Sequence, residues 1–436
     1  MKLETLECAG AQEIICCDSV VRDYADMTAT WPVKRLDDLC EVTSSKRIYA
    51  KELCSSGVPF YRSKEIIAKL NGDDFPSSTL YISEERFQEI LRLSGAPVEG
   101  DILLTSRGTL GVPYAVRGSD RFHFADGNLT WFRNFQDLDS HYLKYFFVSS
   151  TGKAELSKCV IGSSQAAYTI ASLKKVEIPL PPLPVQRRIA GILSAYEELI
   201  ENSQRRIRIL EEMARSLYRE WFVHFRFPGH ENHPLVPSSL GDIPQGWEVG
   251  ALGDLVQFKS GFAFKSGTFT ADGEYRLVTI RNVQDGVFNT ESDSRMNELP
   301  RNLPPYCVLR EGDILLSLTG NVGRVCLVYD GPFLLNQRVS KLVPVVDFDW
   351  AMTYCMFRDS EMRIKLELLS NGVAQQNLSP VLASKMEFAC PPLALRHQFS
   401  TLAEPIVQHI VKLFSTIQNL CRTRDLLLQR LMSGQI

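Results

Sequence analysis

The strongest constraint on this 436-residue chain is that it repeats itself once, in order, about 210 residues apart. The pattern Trp31-x-Val33-x-x-Leu36-x-Asp38-Leu39 returns at Trp247–Leu255, and Glu99–Leu104 returns at Glu311–Leu316. Lys175-x-Glu177, followed by Pro181-Pro182-Leu183, returns at Lys385–Leu393. The three offsets are 216, 212 and 210 residues, as expected where loops differ in length. The period far exceeds the roughly 20–50 residues of solenoid repeats, so each copy is predicted to be a whole domain plus an appendage.

The globular part of each copy has the pattern of a mixed α and β fold. Short β-prone runs follow a Glu-Gly-Asp turn at Asp101–Thr105 and Asp313–Ser317. Helices are predicted at His141–Phe147 and Trp350–Leu369. The predicted class is therefore α+β, with two similar α/β domains.

A long helix with an apolar seam is predicted after each Pro-Pro-Leu. The first seam contains Ile189, Ile192, Tyr196, Leu199, Ser203, Arg206, Leu210, Met213 and Leu217. The second contains Phe399, Leu402, Ile406, Leu413, Leu420, Leu427 and Leu431, with Ile410 and Ile417 beside it. The helices would extend about 57 and 55 Å. Each could lie on its own domain, but stripes this long favour packing of the two helices as an antiparallel coiled coil. Pro405 should bend the second helix or delay its start.

Two segments next to the first helix have their own signals. Residues 228–246 contain three prolines and several glycines, which predicts an interdomain linker. The run from Tyr218 to Phe227 is dense in aromatic residues. It could stack nucleic-acid bases, but an aromatic plug at the helix end is favoured, because aromatic side chains mostly serve burial.

The charge balance excludes a protein that is basic over its whole surface. Lys plus Arg is 48 and Asp plus Glu is 51, a net charge of −3. The first 30 residues have a net charge of −4, so the remaining 406 residues have a net charge of +1. A local basic groove in that part of the chain remains compatible with this balance. Eleven scattered cysteines without a Cys-x-x-Cys pair indicate reduced thiols in the cytoplasm. No signal peptide or membrane span is predicted.

Signatures of catalysis and metal binding are missing. The sequence has no phosphate-binding Gly-x-x-x-x-Gly-Lys-Ser/Thr loop, no Gly-x-Ser-x-Gly and no His-Glu-x-x-His. Leu303-Pro-Pro-Tyr306 lacks the polar first residue that an amino-methyltransferase motif needs. His230-x-x-His233 has no further ligand nearby, so no metal site is expected. The chain is interpreted as a binder or scaffold without catalytic residues.

The region 178–229 resembles the specificity subunit of type I restriction–modification systems. The resemblance rests on Ile178-Pro-Leu-Pro-Pro-Leu183-x-x-Gln186-Arg187-Arg188-Ile189-Ala190, Leu217-Tyr-x-x-Trp221-Phe222-Val223 and Phe225-x-Phe227-Pro228-Gly229. It covers the chain from Trp31 to the end. The second copy departs at 394–398, where Ala-Leu-Arg-His-Gln replaces the Gln-Arg run, and residues 1–30 have no counterpart.

The resemblance implies a division of the chain and a division of labour. The segments are an acidic extension (1–30), target-recognition domain 1 (31–183), a spacer helix (184–227), the linker (228–246), target-recognition domain 2 (247–393) and a second spacer helix (394–436). Each recognition domain would read one half of a split DNA site, with the helices setting the gap. Two methyltransferase subunits would carry S-adenosylmethionine and methylate adenine. A restriction subunit with ATP and Mg would translocate and cleave, and this chain would bind no cofactor itself.

Phosphate contacts need Lys, Arg and small donors on loops, and base readout needs Arg, Asn or Gln. In the first domain the candidates are Ser44, Ser45, Lys46, Arg47, Arg62, Ser63, Lys64, Thr105, Ser106, Arg107, Ser163, Ser164 and Gln165. In the second they are Lys259, Ser260, Lys265, Ser266, Arg281, Asn282, Ser317, Thr319, Asn321, Arg324, Asn336, Gln337, Arg338, Gln375, Gln376 and Asn377. Arg62 with Arg281, the 105–107 loop with 317–321, and Gln165 with Gln375 are predicted to be equivalent. The alternatives are a self-sufficient DNA methyltransferase or nuclease, and a coiled-coil adaptor that does not bind DNA.

Overall fold

The computed structural model describes residues 31–73, 76–162, 165–370 and 376–435. The chain divides into two compact units. Unit 1 contains the residues up to Glu198 and those from Arg422 onward, and unit 2 contains Leu199–Cys421. The acidic segment 1–30 lies outside the described residues.

Unit 1 is built on two four-stranded sheets, with strand orders β2-β9-β6-β7 and β3-β5-β4-β8, and on the pairs β1-β12 and β10-β11. Its strands are β1 (Val33–Arg35), β2 (Glu41–Thr43), β3 (Leu53–Cys54), β4 (Val58–Tyr61), β5 (Leu80–Ile82), β6 (Ile102–Thr105), β7 (Pro113–Ala115), β8 (His123–Phe124), β9 (Leu129–Arg133), β10 (Val160–Ile161), β11 (Ala167–Tyr168) and β12 (Glu177–Pro179). Its short helices are α1 (Ser63–Leu70), α2 (Glu84–Ser94), α3 (Ser140–Val148), α4 (Ser150–Lys158) and α5 (Ile170–Leu173).

Unit 2 repeats the first sheet as β16-β23-β20-β21 and the pair β1-β12 as β15-β24, whereas its second sheet, β18-β17-β22-β19, has its additional edge strand on the other side. Its strands are β13 (Leu235–Ser238), β14 (Gly241–Pro244), β15 (Glu248–Ala251), β16 (Val256–Ser260), β17 (Tyr275–Val278), β18 (Arg295–Met296), β19 (Val308–Leu309), β20 (Ile314–Ser317), β21 (Val325–Leu327), β22 (Phe333–Leu335), β23 (Val339–Pro344) and β24 (Glu387–Cys390). The helices that follow α6, described below, are α7 (Trp350–Arg358), α8 (Ser360–Leu368) and α9 (Pro380–Ser384). An extended Asp359 separates α7 from α8, where the sequence predicted one helix.

The strand register confirms the internal duplication. Ile102 pairs with Phe132 in unit 1, and Ile314 pairs with Leu342 in unit 2. These pairs reproduce the sequence offsets of 212 and 210 residues. In both units, all four residues of the inner strand β6 or β20, three hydrophobic residues and a final Thr or Ser, are buried because the strand is covered on both faces.

Each long helix begins in one unit and ends in the other: α6 spans Leu183–Tyr218 and α10 spans Leu393–Met432. In unit 1, Leu193 and Leu428 lie in one hydrophobic core. In unit 2, Arg206 donates to the ring of His409 at 2.7 Å, and Tyr218 packs edge-on against Phe399. Residues later in α6 thus contact residues earlier in α10, so the two helices are antiparallel, as predicted.

The seam predicted on α6 is wrong by one position in its middle. Ile200, Ile207 and Ala214 are buried, whereas Leu199 and Met213 are about half exposed, at 54% and 51%. The buried residues keep the seven-residue spacing, but between Ser203, Leu210 and Leu217 the four-residue gap precedes the three-residue gap, the reverse of the predicted order. On α10 the buried residues include Ile410 and Ile417, which were expected beside the seam, and Leu402 is exposed. Pro405 lies inside the helix and does not delay its start.

The aromatic run after α6 is a plug, as favoured from the sequence. Residues Arg219–Val223 form a π-helical turn that buries Trp221 and Phe222. The ring of Phe222 lies 4.9 Å from that of Phe399 and 6.0 Å from that of Trp247. These faces are therefore used in packing and not presented for base stacking. The following segment, expected to be a linker, contains the hairpin β13-β14.

The departure at 394–398 has a structural compensation. In unit 1 the buried Gln186 accepts from the Asp139 backbone N–H at 2.8 Å and donates to the carbonyls of Asp137 and Pro181. In unit 2 the equivalent Arg396 forms a buried ion pair with Asp349. Both arrangements tie the first turn of a long helix to the segment that enters α3 or α7. Among the described residues, no helix is apolar enough over a sufficient length to cross a membrane.

Candidate DNA interface

In unit 1, the loops that carry the candidate residues converge at one end of the central sheet. Arg107 forms an isolated antiparallel bridge with Ala167. The Ser63 hydroxyl donates to the carbonyl of Arg107 at 3.0 Å and to that of Asn128 at 3.1 Å. The loops after β4 and β6, the segment before β9 and the start of β11 are therefore neighbours.

The segment His123–Asn128 holds this cluster together and was missed from the sequence. Ser45 donates to the Phe124 carbonyl at 2.6 Å, and Arg47 pairs with Asp126 at 3.1 Å. The His123 ring lies 3.2 Å from the Lys46 carbonyl through Nε2. Burial lowers the pKa of His123 and so favours its neutral form. The one sequence signal for this segment is that residues 126–128 lie 210 residues before the candidates Asn336–Arg338, so they occupy the equivalent place in the repeat.

In unit 2 the equivalent loops converge in the same way. Thr319 bridges Asn377, and the Gly320 N–H donates to the Gln376 carbonyl at 3.1 Å. The Leu318 N–H donates to the Arg338 carbonyl, and the Gln337 N–H donates to the Phe262 carbonyl at 3.2 Å. The loops after β16, β20 and β22 thus form one surface with the segment before α9.

The two loop clusters have equivalent backbone contacts. The Arg107–Ala167 bridge matches the Thr319–Asn377 bridge at offsets of 212 and 210 residues. The predicted equivalence of the 105–107 and 317–321 loops is therefore observed. The predicted equivalence of Arg62 and Arg281 is wrong. Tyr61 pairs with Phe124 in unit 1, and Leu277 pairs with Leu334, the counterpart of Phe124, in unit 2. Tyr61 is therefore equivalent to Leu277, and Arg62 is equivalent to Val278. The copies differ here because unit 1 continues into α1, whereas unit 2 forms a loop.

Exposure divides the candidates into groups. The exposed ones are Lys46, Arg47, Lys64, Arg107, Gln165, Ser260, Lys265, Arg281, Asn321, Gln337, Arg338, Gln376 and Asn377. The half-buried ones are Ser44, Ser45, Arg62, Lys259, Thr319, Arg324 and Asn336. Ser163, Ser164, Gln375 and the side chain of Ser266 lie outside the described residues.

Five candidates are buried and support the loops instead of facing outward; they are Ser63, Thr105, Ser106, Asn282 and Ser317. The Asn282 amide accepts from the Thr279 N–H at 2.8 Å and donates to two carbonyls. The Thr105 hydroxyl accepts from the Val112 N–H at 2.9 Å. These side chains would have to break internal hydrogen bonds to reach DNA, so a direct role predicted from residue type does not fit them.

Several cations at the surface are held by neighbours. Arg62 makes two hydrogen bonds to Glu65, at 2.9 and 3.2 Å. Burial of Glu65 opposes its ionisation, but hydrogen bonds from Arg62 and Ser78 outweigh it and lower the pKa of Glu65. Arg281 lies 3.8 Å from Asp293, and both side chains are largely exposed. Such exposed pairs are weak and can yield to phosphates.

The two histidines near the linker contact backbone carbonyls. The Nδ1 atoms of His230 and His233 lie 2.9 and 3.0 Å from the carbonyls of Phe227 and Gln245. Across the residues that the structure describes, no group of three His, Cys, Asp or Glu could hold a metal ion.

Comparison with known proteins matches residues 28–212 and 244–399 to the family model of the type I restriction modification DNA specificity domain. The type I restriction enzyme MjaIX specificity subunit of Methanocaldococcus jannaschii is 28% identical over 424 residues, or 95% of each chain. The putative specificity subunit S.HindORF215P of Haemophilus influenzae is 33% identical over 44% of this chain and 48% of that protein. The crystal structure of the S subunit of a type I restriction–modification system from M. genitalium has a similar fold. It covers 92% of this chain and 96% of its own, with a TM-score of 0.59 and 17% identity.

Proposed function

Because the chain belongs to the type I restriction–modification DNA specificity family, we propose that each unit reads one half of a split DNA sequence. The subunit then directs partner subunits to that sequence, where they methylate adenine and cleave DNA. Its own role is recognition and not catalysis.

The observation that carries this proposal is the duplicated loop cluster. Both units expose Lys, Arg, Asn or Gln side chains on loops joined by equivalent backbone bridges, at Arg107–Ala167 and Thr319–Asn377. Lys and Arg suit phosphates, and Arg, Asn and Gln suit base edges. Two copies of one reading surface on one chain fit a site with two specified halves.

The proposed chemistry belongs to the partners. Two methyltransferase subunits would bind S-adenosylmethionine, and a restriction subunit would use ATP and Mg. Motifs for a phosphate-binding loop or an amino-methyltransferase are missing from this sequence, which supports that assignment. The names of the relatives, all specificity subunits, support it too.

The modular claim is tested by exchanging one recognition domain. Residues 31–183 are replaced with the matching segment of a relative, and the chain is assembled with its methyltransferase subunits. Mapping the methylated adenines should show a change in one half of the sequence only. The reciprocal exchange of residues 247–393 should change the other half. A change in both halves, or in neither, contradicts the proposal.

Two other functions have direct tests. A self-sufficient methyltransferase would modify DNA when the purified chain is incubated with S-adenosylmethionine alone, and such a product would overturn the proposal. An adaptor that does not bind DNA would show no salt-dependent binding with methyltransferase subunits present. Phosphate contacts predict that affinity falls steeply with salt concentration.

A further inference from the structure

A tight turn in unit 2 connects the core to the candidate reading surface. Val283 and Phe288 form an antiparallel bridge, and the Gln284 N–H donates to the Val287 carbonyl at 3.0 Å. Asp285 and Gly286 occupy the tip, where Gly286 has φ +78°. The Gly286 N–H donates to the carbonyl of Val325 at 2.8 Å. The turn is therefore held against the start of β21, next to Arg324.

The tip of this turn is anchored by a buried arginine. Arg358, whose side chain is 9% exposed, ion-pairs with Asp285 and lies 3.3 Å from Glu211. Glu211 also accepts from the Tyr354 hydroxyl. Gly286 has a positive φ that favours glycine, and a Cβ there would lie 2.5 Å from the Arg358 guanidinium, which would then have to shift away from Asp285. The anchor fixes the turn to α6 and α7.

Gln284, which lies in this anchored turn, binds the side chain of Arg324. Its side-chain oxygen accepts from Nη1 of Arg324, and its side-chain nitrogen donates to the Arg281 carbonyl at 2.7 Å. Arg324 also belongs to the turn after β20, because its N–H donates to the Ser317 hydroxyl at 3.1 Å. One amide thus orients a guanidinium at the base of the loop that carries Asn321.

Unit 1 has the same kind of device built from different residues. Arg62 follows β4 and is held by Glu65, whose side chain is fully buried. The Ser78 hydroxyl donates to Glu65 at 2.8 Å and fixes it in turn. The residue equivalent to Arg324 in unit 1 is Val112. An arginine held by a neighbouring side chain is therefore common to both units, although its position is not.

From these contacts we propose that Gln284 is a positioning residue that orients Arg324 to read a base edge in the half-site of unit 2. The preferred base is guanine, because a guanidinium of fixed plane matches its O6 and N7 acceptors. The Arg358–Asp285 pair keeps Gln284 in place. This inference rests on the proposed function, since it assigns one base contact within it.

The test measures base preference at every position of the site, using the full chain with its methyltransferase subunits and a library of DNA duplexes. Arg324→Met should reduce discrimination at one base pair of the unit 2 half-site by about 5- to 150-fold. Gln284→Ala should relax the same base pair, by about fivefold or more. Gln284→Glu keeps an oxygen acceptor for Arg324, as Glu65 does for Arg62, but loses the donor to the Arg281 carbonyl, so it should retain more of the preference than Gln284→Ala and less than the unaltered chain. Asp285→Asn should weaken it less than Gln284→Ala does.

Gln257→Ala is the matched control, because Gln257 is an exposed glutamine of the same unit on β16. It should change no base preference. Unchanged preference in Gln284→Ala overturns the inference, as does equal weakening at all positions together with a lowered melting temperature, which would indicate a structural role. If the unaltered complex shows no sequence preference at all, the proposed function fails as well, and the two failures are thereby distinguished.

Discussion

Replacement of Arg396 with methionine leaves one buried carboxylate without its partner. The Asp349 side chain is 4% exposed and the Arg396 side chain 10% exposed. Methionine preserves most of the volume at this helix start but removes the charge and the hydrogen bond. The change therefore tests whether the ion pair does in unit 2 what Gln186 does in unit 1.

The cost has an upper bound that follows from the chemistry of Asp349. An unpaired buried carboxylate destabilises a fold by about 3–5 kcal/mol. The folded chain can avoid that cost by protonating Asp349, starting from its ordinary pKa of 3.8. Protonation at pH 7 requires about 4 kcal/mol, at about 1.4 kcal/mol per pH unit. We expect a loss of about 3–4 kcal/mol at pH 7.

The loss should shrink in acid. Burial raises the pKa of Asp349, and Arg396 opposes that shift. Without Arg396 the folded-state pKa rises further above the unfolded value. A raised acid pKa means that the folded state binds more protons, so stability is gained as the pH falls. At pH 5.5 protonation of Asp349 requires only about 2 kcal/mol, so the loss of stability should not exceed that value.

Urea unfolding at pH 7 and pH 5.5 measures both values, with hydrogen exchange on peptides around 349–358 to assign the transition to unit 2. Arg301→Met is the control, since Arg301 is exposed in the same unit and should change stability by less than about 0.5 kcal/mol. A loss below about 1 kcal/mol at pH 7, or a loss that grows in acid, would refute the reasoning on Asp349.

The duplication supplies further matched tests. The buried Ser340 hydroxyl has no partner among the described residues, whereas the equivalent Thr130 hydroxyl bonds Ser106 at 2.7 Å. In urea unfolding, Ser340→Ala should keep or raise stability, and Thr130→Val should lower it by about 1 kcal/mol. The reverse order would contradict this. Phe399→Ala should destabilise unit 2 by about 3–5 kcal/mol, because Phe399 is fully buried in the aromatic plug; a loss under about 1 kcal/mol would show that the plug does not support unit 2.

The sequence predicted the architecture well, because a duplication is visible in residue order alone. The motifs at Trp31 and Glu99 were enough to align the two copies, and the strand register follows the same offsets. The packing of the two long helices on each other also follows from apolar stripes of matched length. The buried face of α6 did not follow, since either order of three- and four-residue gaps gives an apolar stripe, and packing selects the order that buries Ile200 and exposes Leu199.

The sequence indicated which loops lie together but not which of their side chains face outward. Ser63 and Asn282 have the residue types of DNA contacts, yet their hydrogen bonds turn them inward. Gln284 was missed because its significance comes from Arg358, which is distant in sequence and adjacent in space. Residue type thus indicates which loops can meet DNA, and packing decides which side chains face it.

The central claim is tested most directly by mapping every adenine methylated when this subunit is assembled with its methyltransferase subunits. We expect a single split motif: two specified half-sites separated by an unspecified gap of constant length. A contiguous motif, a gap of variable length, or methylation without sequence preference would contradict it.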